Sequence, residues 1–279
     1  MSGIIMQFPN GKNKALTLSY DDGVEQDIKL IELAKKYGIK GTFNLNSGCY
    51  PDEKVVYEQG TIHRRMPKSK VTEVYKNCEW EVAAHGYTHP GLVGLSTVNI
   101  TSEIYEDRKA LEEQFGCFVR GFAYPYGAYS DTVVEVLKNC GIEYARTVNS
   151  TGNFFMPQDW LRLNPTAHHD DPKLMEMAEK FVDEKNPWST RLFYLWGHSY
   201  EFEANDNWDV IENFMKLVSG KDDIWYATNI EIFDYAKAFE QLIFDACMTG
   251  CFNPTATDIY FRCNNKEYVV KAGATISLD

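Results

Sequence analysis

Hydrophobic patterning switches between a strand-like and a helix-like period along nearly the whole chain, and that serial order leaves few architectures open. Lys14 to Tyr20, "KALTLSY", reads as a strand. Gln26 to Tyr37 puts Ile28, Ile31, Leu33 and Ala34 near helical spacing, with Gly38 as the stop signal. Gly41 to Asn46 is strand-like again. A polar loop with a short helix around Lys70 to Lys76 leads to a strand at Glu79 to Ala84. Thr101 to Phe115 is an amphipathic helix closed by Gly116. Val119 to Ala123 is a strand, and Ser130 caps a helix that Gly141 ends. "IEYARTV", "RLFYLWG" and "DIWYAT" add further strands, each followed by a loop and a helix-compatible run. The result is about seven βα units, the order that builds a parallel barrel or an open doubly wound sheet.

The tail changes character. Asp258 to Leu278 holds two β-rich runs joined by Asn264-Asn265, then a Gly273 turn and a third run, which reads as a small antiparallel appendage. The expected division is a barrel-like domain over 1–250 and a C-terminal β extension over 251–279 packed on it. A hydrophobic share of 44% is enough to fill a core of this size.

Charge and cysteine usage narrow the setting. The formal net charge of -12, with no long basic run, argues against nucleic acid and anionic membrane surfaces as partners. Seven scattered cysteines cannot all pair within one chain; reduced thiols are the expectation. The start, "MSGIIMQFPNGKNK", has no charged segment followed by a long apolar core, so neither a signal peptide nor a membrane span is expected, and the location read from it is cytoplasmic.

In serial βα folds, chemistry gathers at the carboxyl ends of the strands. The first strand ends in Asp21-Asp22-Gly23. His85 and His89, in "HGYTHPG", follow the strand ending at Ala84. Tyr124, Pro125, Tyr126 and Gly127 follow Ala123, and His198 follows "RLFYLWG". Three of only six histidines thus fall at one rim. Pro90 disfavours helix at His89, so His85 and His89 belong on a loop or single turn. Two imidazoles and a carboxylate suit zinc or a similar divalent ion with a position left for water. Adjacent acids repel, but a bound cation relieves that, leaving one to ligate and its neighbour free as a base. The bland alternative is an Asp-Gly turn between strand and helix. His168-His169-Asp170-Asp171 could suggest a second metal site, but the expectation is a solvated loop that touches substrate.

These segments resemble the polysaccharide deacetylases of the NodB-homology group, carbohydrate esterase family 4. "SYDDG", "HGYTH", "AYPYG" and "LWGHS" are similar to that family's first, second, third and last motifs, in order, over Lys14 to Asn229. The resemblance implies a distorted (β/α) barrel of about seven strands. It implies one divalent metal ion, zinc first and cobalt or another divalent ion as the alternative, held by Asp22, His85 and His89. It further implies Asp21 as general base, the backbone N–H of Tyr126 as oxyanion donor and His198 as general acid. The implied substrate is an acetylated sugar or oligosaccharide that loses an N-acetyl, or an O-acetyl, group. Tyr124 and Trp196, aromatic residues at the same rim, are the expected sugar-stacking side chains.

Two departures stand out. The family's third motif opens with an arginine that orients the catalytic aspartate, whereas this chain has Ala123. Arg162 is a nearby guanidinium able to substitute, although a surface position is the expectation for it. Asp159-Trp160 matches the fourth motif only loosely, and neither residue is assigned a role. Two alternatives therefore stay open: a hydrolase of another small or cyclic amide on the same site, and a metal-containing carbohydrate-binding protein with little turnover.

Overall fold

The structure is a computed structural model that describes residues 3–278. Its strands run β1 (Ile5–Gln7), β2 (Lys14–Asp21), β3 (Gly41–Leu45), β4 (Glu81–Ala84), β5 (Gly121–Ala123), β6 (Tyr144–Arg146), β7 (Ala167–His168), β8 (Arg191–Gly197) and β9 (Ile224–Tyr226). The helices between them are α1 (Asp27–Tyr37), α2 (Lys68–Lys76), α3 (Thr97–Phe115), α4 (Asp131–Asn139), α5 (Leu174–Asp183), α6 (Ser199–Ala204), α7 (Trp208–Val218) and α8 (Asn229–Glu240). Start and stop chemistry set several of the boundaries. Gly38 and Gly116 take the left-handed conformation that ends α1 and α3, and the Ser96 and Ser130 side chains cap α3 and α4. The Ser96 cap starts α3 one turn earlier than its hydrophobic pattern suggests.

Strands β2 to β9 form one parallel sheet in the order β6-β5-β4-β3-β2-β8-β7, with β9 on the amino-terminal half of β2. The gap between the edge strands is bridged by the chain around Leu163 to Thr166. Leu163 N–H donates to Ala145 and Thr166 N–H to Tyr194, so the sheet curls into a distorted (β/α) barrel. β2 is buried along its whole length. Its Leu16, Leu18 and Tyr20 pack into the core under the helices. The alternate residues carry polar groups inward: Thr17 Oγ1 reaches Asn229, and both Ser19 and Asp21 accept from Asn44 Nδ2. That buried polar column ends at the carboxyl mouth.

The amino ends of the strands are closed by two small antiparallel sheets. One is β10 (Ile243–Phe244), β11 (Gly250–Phe252) and β14 (Thr275–Ser277); the other joins β12 (Ile259–Cys263) and β13 (Lys266–Val270) to β1. The β12–β13 turn is made by Asn264 and Asn265, both at positive φ. The extension thus begins at Ile243 and recruits the first strand of the chain. Ala15, Leu192, Tyr194 and Phe261 share one core with it, so the appendage plugs the end opposite the chemistry. All seven cysteines are free thiols. Among the described residues, no helix is long and apolar enough to cross a membrane.

Candidate active site

Successive residues of a strand point to opposite faces, so two adjacent aspartates should diverge. They converge here because Asp22 has φ 84 and Gly23 φ 68. The left-handed turn is uncommon for a non-glycine residue and swings the second carboxylate into the mouth beside the first. Asp21 is 1% exposed. Its Oδ1 accepts from Asn44 Nδ2 at 2.8 Å and its Oδ2 from the guanidinium of Arg146. Burial alone would raise its pKa; Arg146, then His85 and His198, overcome that and hold the carboxylate below its ordinary value.

His85 ends β4. Its Nδ1 lies 2.8 Å from the Ala123 carbonyl, an acceptor only, so Nδ1 carries the proton and Nε2 faces the mouth bare. Its backbone N–H is shared between Leu45 O and Asp107 Oδ2. His89 sits on a loop at φ 58 and aims Nε2 at His85 Nε2, 3.2 Å away. α3 holds that loop: Glu103 accepts from Thr88 N–H and Oγ1, four residues before Asp107 on the same helix. One donor atom each from Asp22, His85 and His89 lies within 4.8 Å of the others. A bare imidazole nitrogen, a second imidazole and a carboxylate converging on one point suit a divalent ion such as zinc. Asp22 is further braced by two residues that carry no pattern in the sequence, Arg65 on Oδ1 at 2.8 Å and His63 on Oδ2 at 3.1 Å.

The missing guanidinium is present, one strand away. Arg146 on β6 pairs in register with Ala123 on β5. It is 1% exposed, ion-paired to Asp21 and stacked over Trp196 at 4.3 Å. Arg162 is not the substitute: it bonds Asp159 and Asp131 at the surface. Asp159 caps a short 3₁₀ turn, and Trp160 packs on Phe233.

His198 follows β8 with Nε2 3.8 Å from Asp21 Oδ2 and Nδ1 3.2 Å from Glu201 Oε1. Burial would lower its pKa, but Glu201 and then Asp21 raise it above the ordinary histidine value. Tyr126 lies in a left-handed turn, φ 58, between Pro125 and Gly127, with its ring against His89 at 4.7 Å and 71% exposed.

Three expectations need correction. Tyr124 is 1% exposed and its hydroxyl donates to Leu161 O, so it is core and cannot stack on a sugar. Trp196 is 8% exposed and lies beneath Arg146, forming the floor of the mouth. The residues from His168 are not a solvated loop. His168 ends β7, His169 is 2% exposed, and both bring Nε2 to Glu201 Oε2, at 3.3 and 3.1 Å. All six histidines of the chain therefore gather at this mouth.

Fold and cluster together give a parallel (β/α) barrel carrying an Asp-His-His donor set able to hold a divalent ion, beside a carboxylate held below its ordinary pKa. Residues 9–145, just under half of the chain, match the family model of polysaccharide deacetylases. A peptidoglycan-N-acetylglucosamine deacetylase of Listeria monocytogenes is 25% identical over 134 residues, 47% of this chain and 26% of the relative. The matched region thus spans only about a quarter of that relative's length. A chitooligosaccharide deacetylase of Azorhizobium caulinodans is 21% identical over 186 residues, 64% of this chain and 73% of the relative. Among solved structures, a candidate polysaccharide deacetylase from Mycobacterium smegmatis superposes with TM-score 0.62 at 15% identity, covering 86% of this chain and 96% of that one. A family 4 carbohydrate esterase from Streptomyces lividans, in complex with acetate, gives 0.52 at 16% identity over 77% and 93%. These two likenesses are of fold.

Proposed function

We propose that the protein is a metal-dependent hydrolase that removes N-acetyl groups from an acetylated amino sugar in an oligo- or polysaccharide. The observation that carries this is Asp21: a buried carboxylate held ionised by Arg146, beside the Asp22, His85 and His89 donor set and facing His198. The relatives' names, a peptidoglycan-N-acetylglucosamine and a chitooligosaccharide deacetylase, support the substrate class.

A divalent ion on Asp22, His85 and His89, zinc by its donor set, supplies Lewis acidity to the amide carbonyl and the attacking water. Asp21 takes the water's proton, its direction fixed by Asn44 on one oxygen and Arg146 on the other. The Tyr126 N–H donates to the carbonyl oxygen as that atom gains charge. His198 gives the proton on Nε2 to the departing nitrogen, while Glu201 on Nδ1 orients the ring and stabilises its protonated form. The exposed ring of Tyr126 replaces Tyr124 as the surface for a sugar face.

Ala123 motivated the reading as a binding protein without turnover, and Arg146 removes that motive. Incubation of zinc- or cobalt-loaded protein with N-acetylglucosamine oligomers should release acetate, and chelation should stop the release. A metal-replete protein that liberates no acetate from any acetylated sugar, yet cleaves another amide, would replace the proposal with the cyclic or small-amide reading.

A further inference from the structure

The second imidazole cluster is built like a ligand site. Glu201 starts from α6, immediately after β8, and its carboxylate meets three histidines: His198 Nδ1 at 3.2 Å on Oε1, and His168 and His169 Nε2 at 3.3 and 3.1 Å on Oε2. One donor atom each from His168, His198 and Glu201 lies within 4.8 Å of the others. His198 meets Oε1 and His168 meets Oε2, so an ion shared by the two rings would take the Glu201 carboxylate through either or both oxygens.

The surroundings have the features that brace metal ligands. His168 Nδ1 contacts the Asp170 carboxylate and lies 3.3 Å from the Asp170 N–H, while its Nε2 is aimed at Glu201. A cation between this imidazole nitrogen and the carboxylate oxygen, 3.3 Å apart, would take the place of the proton they share. His169 pins Glu201 from the buried side. Its own seat depends on Gly197, where a Cβ would stand 2.0 Å from His169 Nδ1. The side chains of His168, His198 and Glu201 are 17, 22 and 27% exposed, so an ion can enter from solvent.

We propose that His168, His198 and Glu201 form a second divalent-metal site, selective for zinc over magnesium or calcium by its two imidazoles, adjacent to the Asp22, His85 and His89 site. An ion there takes the Nδ1 of His198. Resting on the reading of His198 as proton donor, the consequence is inhibition: the metal-held ring can offer its Nε2 proton only by becoming an imidazolate, so excess zinc silences the acid.

The test titrates metal-free full-length protein with zinc by calorimetry and follows acetate release across the same concentrations. Wild type should bind two ions, the second more weakly, and lose turnover as the second fills. His168→Ala should bind one ion, and its turnover, relative to its own basal level, should resist excess zinc. Asp170→Asn, which spares all three ligands, should weaken the second ion by about 10–100-fold. One ion per chain in wild type at saturating zinc, or a second ion that persists unweakened in both variants, overturns the site. A second ion that His168→Ala removes, with no effect of that ion on turnover, supports the site and overturns His198 as the acid.

Discussion

The two imidazole–carboxylate clusters at the barrel mouth lie side by side but are held in different ways. In the Asp22, His85 and His89 cluster, main-chain groups do much of the holding. The Ala123 carbonyl fixes the His85 tautomer, the Leu45 carbonyl and Asp107 hold its N–H, and a left-handed φ aims Asp22. In the His168, His198 and Glu201 cluster, imidazoles do most of the holding, with the His198 backbone N–H adding one bond, and the central carboxylate comes from a six-residue helix. A cluster anchored to strand ends keeps its geometry whatever occupies it. One centred on a carboxylate shared among three imidazoles can trade a proton for a cation. The first is suited to a resident ion, the second to a proton donor that an ion can capture.

The comparison breaks hardest at the residue that bridges the two clusters. Arg146 touches Asp21 and covers Trp196, which in turn packs against His168 and His198. Arg146→Ala should lower kcat by about 10²–10⁴-fold, the usual worth of acid–base catalysis, while metal content stays unchanged. Adding Ala123→Arg should restore part of that loss, because the two positions are neighbours in register. Ala123→Arg alone should be harmful, since position 123 is fully buried and the space beside Asp21 is filled. Equal turnover in wild type and Arg146→Ala would remove the guanidinium from the mechanism.

A smaller effect belongs to the second cluster. Glu201→Gln should reduce kcat by roughly 10–100-fold, less than the full worth of general acid–base catalysis because His198 itself remains. Burial lowers the His198 pKa and Glu201 is the main group raising it, so the variant's ring loses its proton at lower pH. The alkaline limb of the kcat profile should therefore move down in pH, and an unmoved limb would show that Glu201 only shapes the loop.

The smallest effect tests how α6, the carrier of Glu201, is tied down. Ser199 Oγ donates to Asp27 Oδ1 at 2.5 Å, and Tyr75 and the Val24 N–H donate to Oδ2. Burial nevertheless dominates and pushes the Asp27 pKa up to about 7. The folded state thus binds this proton more tightly than the unfolded chain, whose aspartate titrates near 3.9. Stability from this group is complete below that value and is lost as pH rises to about 7. Asp27→Asn should flatten the fall in stability between pH 4 and 7 by about 4 kcal/mol, read from denaturant midpoints at each pH. An unchanged slope would assign the pH dependence to other groups.

Much of this architecture was legible because hydrophobic period and breaker residues coincide. The strand ends at Asp21, Ala84, Ala123 and Gly197 carry both signals, and the proposed metal donors sit just beyond the first two. Arg146 was missed although it too ends a strand. Its importance lies in register with Ala123, which a single sequence does not display. β7 is two residues long, too short for any period, so His168 and His169 read as loop. Glu201 offered a usable clue, three residues after His198 at the start of a helix, where an acid commonly folds back on the cap. His63 and Arg65 come from an aperiodic loop and become visible only once it closes over Asp22. The tail's strands were readable, but their pairing with β1 spans the whole chain and no local pattern encodes it.

The most direct measurement compares the two adjacent aspartates. Bound metal and acetate release are measured for Asp21→Asn and Asp22→Asn across added zinc. Asp21→Asn should keep its metal and lose about 10²–10⁴-fold in kcat, because an amide cannot take the water's proton. Asp22→Asn should lose metal first, and excess cobalt or zinc short of the inhibitory range should restore part of its turnover. Equal metal loss in both variants, or full activity in Asp21→Asn, would contradict the assignment of one carboxylate to the ion and its neighbour to the proton.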